Sequence, residues 1–132
     1  MSTITGSILA ALSGILGSVM LIASFSLNVG PSADATNAQL IAFNNQNFDV
    51  ILWGAWLQAI GPVFIVLFAF AIVSLAGATT RVAGWMTLFG AMTLMTVSLI
   101  EIVFYISALY NTPTIMPMIS YELIHAVQHL YF

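Results

Sequence analysis

Apolar residues fill four long stretches of this chain, and polar residues are gathered into short interruptions between them. The first stretch, Ile4 to Leu27, is hydrophobic on every side and broken only by small residues, which suits a lipid-embedded helix better than an amphipathic one. Asn28-Val29-Gly30-Pro31-Ser32 reads as a turn, and residues 28–49 form the one polar segment, expected to lie outside the cytoplasm. Within it, Ala35 to Phe43 reads either as a short interfacial helix with Leu40, Ile41 and Phe43 toward lipid, or as a plain loop. Asn44-Asn45-Gln46-Asn47 is expected to break it. A second span follows over Val50 to Leu75, entered through Trp53 and Trp56 at the headgroup level, with Pro62 expected to kink it. Gly77-Ala78-Thr79-Thr80-Arg81 is a turn, and Val82 to Leu109 is the third span, anchored by Trp85. The fourth apolar segment, residues 115–132, crosses a bilayer only if it continues or stands nearly upright.

These periods predict an all-α fold: a polytopic transmembrane helical bundle of about four helices in a single integral membrane domain, with spans over 4–27, 50–75, 82–109 and 115–132. The chain stops at Leu130-Tyr131-Phe132 inside an apolar stretch, so the expectation is the N-terminal part of a longer bundle.

Composition sharpens this picture. Only 4% of residues are charged and 61% are hydrophobic, too few charges to cover a globule in water, so lipid is expected to be the main surrounding partner. The cations reduce to Arg81 and the acids to Asp34, Asp49, Glu101 and Glu122. One arginine cannot form a nucleic-acid surface. Absent cysteine removes disulfides and thiolate chemistry. Met1 to Leu27 carries no lysine or arginine, so the positive leader of a cleavable signal is missing and the first span reads as retained. The positive-inside rule places the Arg81 turn, and with it the N-terminus, in the cytoplasm.

Two groups of residues invite a role. Ala10, Gly14 and Ser18 fall four apart, a row of small residues that lets a neighbouring helix approach closely. The second group is the polar side chains within the spans, each costly in hydrocarbon and so each in need of a partner. Gln58 and Glu101 lie about eight residues, or about 12 Å, inside the outer ends of their spans. His125 reaches a similar depth. Glu122, His125 and His129 line one stripe of the fourth span, and Ser98, Glu101 and Tyr105 one stripe of the third. Facing each other, these stripes would gather two carboxylates, two imidazoles, a phenol and an amide.

Such a cluster supports several readings. As interhelical hydrogen bonding it needs no further chemistry. As a metal site, Glu122-x-x-His125 echoes the ligand pair of di-iron bundles, and His125 with His129 has zinc-ligand spacing. With one copy of the motif, zinc or a single iron fits better than a di-iron centre. A haem or pigment held by a single histidine is a third reading, because two histidines four apart on one helix cannot ligate opposite faces of the ring. Proton-coupled transport is a fourth. Nucleophilic triads, phosphate-cradling loops and dinucleotide fingerprints are missing, and Met86, Met92, Met95, Met116 and Met118 read as apolar packing.

Ala83-Gly84-Trp85-Met86, Ser98-Leu99-Ile100-Glu101, and Glu122-Leu123-Ile124-His125-Ala126-Val127-Gln128-His129 resemble segments of uncharacterised multi-pass bacterial inner-membrane proteins. The resemblance covers the second half of the chain and implies a fold of about six helices in that membrane, with no known activity attached. The role expected is a helical subunit or packing module within a larger membrane assembly, beside other transmembrane helices or subunits. The alternative is a metal-dependent membrane enzyme, or a haem- or pigment-binding redox subunit, built on the Glu/His cluster.

Overall fold

The computed structural model describes residues 3–28, 30–32, 34–110 and 116–128. They form four helices: α1 (Thr3–Leu27), α2 (Asn37–Leu75), α3 (Val82–Tyr110) and α4 (Met116–Gln128). The first three are long and apolar enough to cross a membrane. At about 1.5 Å per residue, the 25 residues of α1 and the 29 of α3 exceed a hydrocarbon core of about 30 Å. In α4 the 13 described residues span about 20 Å. His129 and the rest of the expected fourth span beyond Gln128 lie outside the described residues, as does Ile115.

α2 is the central element, with α1 packed on one flank and α3 on another, while α4 packs on α3 and on α2. Along the described residues α1 and α3 do not pack on each other. The connection 28–36 and α4 therefore share one end of the molecule, and the 76–81 turn lies at the other.

The α1–α2 seam runs through Ala10, Gly14, Gly17, Leu21, Ser24 and Asn28, alternating four and three residues. Ala10, Gly17, Ser24 and Asn28 are buried. A Cβ on Gly17 would come 2.9 Å from the Gly61 carbonyl oxygen, and one on Gly14 2.9 Å from the Phe68 ring, so the helices approach as closely as small residues permit. Ser18, the last member of the expected row, is exposed instead. A strict four-residue row rotates by about 40° per step around a 3.6-residue helix, whereas alternating steps stay on one face.

The polar segment departs most from expectation. Thr36 caps α2 through a reciprocal pair: its hydroxyl accepts from the Gln39 backbone N–H, and the Gln39 side chain accepts from the Thr36 backbone N–H at 2.8 Å. The helix then runs through Asn44-Asn45-Gln46 and leaves helical geometry at Asn47 (φ −111°, ψ 15°), whose amide donates to the Phe43 carbonyl at 2.9 Å. Pro62 lies inside the helix, and the departure from helical geometry falls at Asn47, in the polar run expected to break it. Leu40 and Phe43, expected to face lipid, pack inward with Ile51, Tyr105, Ala108, Leu109, Tyr121 and Ile124. Residues 37–46 are thus helical, as one of the two readings has it, and the polar run interrupts the helix at Asn47, but Leu40 and Phe43 turn toward α3 and α4 rather than toward lipid.

At the far end Gly77 (φ +60°) terminates α2. Its N–H bonds to the Ser74 carbonyl at 3.0 Å and that of Ala78 to Val73 at 2.9 Å, the paired closure that an αL residue allows. Gly84 then lets α3 press on this turn, because a Cβ there would run into the Ala78 carbonyl. On the outer face of α3, Thr87, Thr93 and Thr96 turn their hydroxyls back to carbonyls four residues earlier at 2.9 Å, which satisfies them in hydrocarbon.

Candidate functional site

The seam residues at the α4 end of the bundle are polar, and they meet. Asn28 follows the last turn of α1, Gln58 lies on the inner face of α2, and Glu101 and Tyr105 lie one turn apart on α3. Asn28 Nδ2 donates to Gln58 Oε1 at 3.3 Å, and Gln58 Nε2 donates to Glu101 Oε2 at 2.6 Å. The Tyr105 hydroxyl donates to the Asn28 backbone carbonyl at 3.5 Å. Gln58 and Glu101 are 0% and 1% exposed, so these bonds are made out of contact with the surroundings, where an unmade one costs most. This ladder joins α1 to α3, which do not otherwise pack together along the described residues.

Gly54 makes room for it. A Cβ at this position would overlap the Asn28 side chain, so α1 ends with its carboxamide laid on the α2 backbone. Asn28 Oδ1 is buried there without a hydrogen-bond partner among the described residues. Pro62, one turn beyond Gln58, lacks the N–H that would bond the Gln58 carbonyl.

A second polar contact ties the α4 end together. Asn44 Nδ2 donates to the Ala108 carbonyl at 2.7 Å, and the Tyr121 hydroxyl donates to Asn44 Oδ1 at 2.5 Å, linking α2, α3 and α4. Tyr121 meets Tyr105 edge to face, with ring centroids 6.4 Å apart, so the two polar groups share an aromatic boundary.

The expected cluster is therefore only partly assembled by the described residues. Gln58, Glu101 and Tyr105 come together, with Asn28 as the member that sequence reasoning had placed in a turn. Glu122 and His125 line a separate small pocket of about 80 Å³ with Pro31, Ser32, Ala35, Leu40 and Tyr121; Glu122 is exposed and His125 half-buried. His129 lies outside the described residues. Among the described residues no three His, Asp or Glu side chains come within reach of a common metal ion. What the ladder offers chemically is one carboxyl group held by an amide chain between three helices.

No protein family, curated protein or solved structure matches this chain. The class rests on the fold and the site alone: an all-α membrane protein, with three helices long and apolar enough to span a bilayer and a buried polar ladder between them.

Proposed function

We propose that the chain is a helix-packing subunit of a larger membrane assembly, seated in a bacterial inner membrane with its N-terminus and the Arg81 turn toward the cytoplasm. One observation carries this reading: the buried amides and phenols at the α4 end are bonded across helix boundaries, Asn28 to Gln58, Gln58 to Glu101, Asn44 to Ala108 and Tyr121 to Asn44. Polar groups used in this way specify which helices meet and in what register, which is what a packing module requires. The layout agrees, since α1 and α3 flank α2 without closing on each other and leave long apolar faces open to neighbours. The bacterial membrane is the one to which the sequence resemblance points, and the orientation follows from Arg81.

A photo-reactive phenylalanine analogue at the exposed Phe89 tests the assembly. Irradiated native membranes are expected to give one discrete cross-linked product, and the protein extracted in mild detergent a mass above that of a single chain. Single-chain mass together with no cross-link would overturn the reading.

A further inference from the structure

We propose that the hydrocarbon of the bilayer ends at the level of the Gln58–Glu101 contact, so that the first third of α2, the last turns of α3 and the described residues of α4 stand beyond it as a water-facing headpiece. With 39 residues, α2 is about 58 Å long, nearly twice a hydrocarbon core of about 30 Å. Membrane helices tilt by up to about 40°, which is too little to bury that length, so part of α2 lies outside. The exposed tryptophans mark which part. Trp85 follows Gly84, where a Cβ would come 2.9 Å from the Val73 side chain, so Trp85 stands near the level of Val73 on α2. From Val73 back to Trp56 and Trp53 is about 26–30 Å along the helix, the thickness of the hydrocarbon, which sets the three rings at the two headgroup levels. Exposed side chains change character at the same place: Ile60, Val63, Leu67 and Phe70 lie on one side of Trp53 and Trp56, and Asn45, Gln46 and Asp49 on the other. Gln58 is within one turn of Trp56, and Glu101 accepts from it at 2.6 Å, which seats the carboxyl at the edge of the hydrocarbon instead of deep within it.

The whole described length of α4 belongs beyond that edge. Tyr121 bonds to Asn44, and His125 shares a pocket with Leu40, one turn nearer the start of α2, so α4 climbs away from the ladder as its numbering rises. Leu40, Ile51, Ala108, Leu109, Tyr121 and Ile124 give the headpiece an apolar core of its own. The exposed acids Asp34, Asp49 and Glu122 lie in it or in the connection leading to it, where water solvates charges that hydrocarbon would penalise. Whatever enters the pocket of Glu122 and His125 therefore arrives from water and not from lipid. On α4 the exposed Ile119 and Leu123 are the apolar exceptions, so position 123 is the most exacting place to test the boundary.

The full chain contains no cysteine, so Asn45→Cys, Leu123→Cys and Val63→Cys each carry one spin label at an exposed site. In phosphatidylcholine vesicles, a water-soluble nickel chelate is expected to relax the labels at 45 and 123 more than oxygen does, and oxygen to dominate at 63. At Val103, two residues past Glu101 and exposed, Val103→Cys is expected to give values between those of 63 and 123. Oxygen dominance at 45 or 123 would overturn the headpiece, and oxygen dominance at 103 equal to that at 63 would overturn the boundary at Glu101. The unaltered chain supplies a second reading through its own tryptophans. Phosphatidylcholine brominated near the headgroup is expected to quench them more than lipid brominated near the chain end, and the reverse order would also overturn the proposal. Neither measurement depends on which end faces the cytoplasm or on a partner subunit.

Discussion

The 2.6 Å contact from Gln58 to Glu101 has a donor and an acceptor with different tolerances to change. Glu101→Gln retains an oxygen to accept from Gln58, so stability in detergent, followed by thermal or denaturant unfolding, is expected to change by less than about 1 kcal/mol. Glu101→Leu leaves the Gln58 amide N–H buried without that acceptor and is expected to cost about 1–3 kcal/mol. If Glu101→Gln instead unfolds the bundle as Glu101→Leu does, the ladder depends on charge rather than on hydrogen bonding alone. The glycines make a paired test. At Gly54 an added Cβ falls on the Asn28 side chain, and Gly54→Ala is expected to destabilise by about 1–3 kcal/mol through overpacking. At Gly90 nothing lies within 4 Å, so Gly90→Ala is expected to be neutral or to stabilise α3 by up to about 1 kcal/mol through helix propensity.

Among the helices, α4 depends on few contacts, and Asn44 supplies a central one. Asn44→Ala removes the donor to Ala108 and the acceptor for Tyr121 together, and is expected to raise amide exchange across residues 119–126 while leaving α1 protection unchanged. Equal loosening of α1 would refute this division of the molecule. The first part of α2 also shows what a pattern along one chain conceals. Leu40, Asn44, Ile51, Ala55 and Gln58 lie on one inward stripe that passes through the polar run. The run of four amides does carry the break, at Asn47, but composition averaged over both faces of the helix hides which of the four turns inward. Asn45 and Gln46 point outward, and only the turns of neighbouring helices show that Asn44 does not. Asn28 was hidden for the same reason: beside Gly30 and Pro31 it reads as turn chemistry, yet it continues the α1 seam by one more step.

For the whole molecule, three antiparallel crossings put residue 32 and residue 79 on opposite sides of the membrane. The chain has no cysteine, so Ser32→Cys and Thr79→Cys give clean single-site reporters. In intact bacterial cells an impermeant maleimide is expected to label position 32 and to reach position 79 only after permeabilisation. The reverse pattern would invert the orientation argued from Arg81. Hydrophobic runs and a near absence of charge determined from sequence alone that the protein is all-α, that it belongs in lipid and where α1 and α3 pass, whereas the start of α2, read at Val50, lies at Asn37. These properties depend on how much apolar surface each segment carries, and that quantity can be summed residue by residue. Tertiary structure decided which faces of those helices meet: Gly17 rather than Ser18 at the α1 seam, Asn28 as the partner of Gln58, and Glu122 and His125 in a pocket apart from the ladder. Lipid rewards almost any apolar face equally, so helix choice falls to close packing and to a few buried hydrogen bonds, and those depend on distances between segments far apart in the chain.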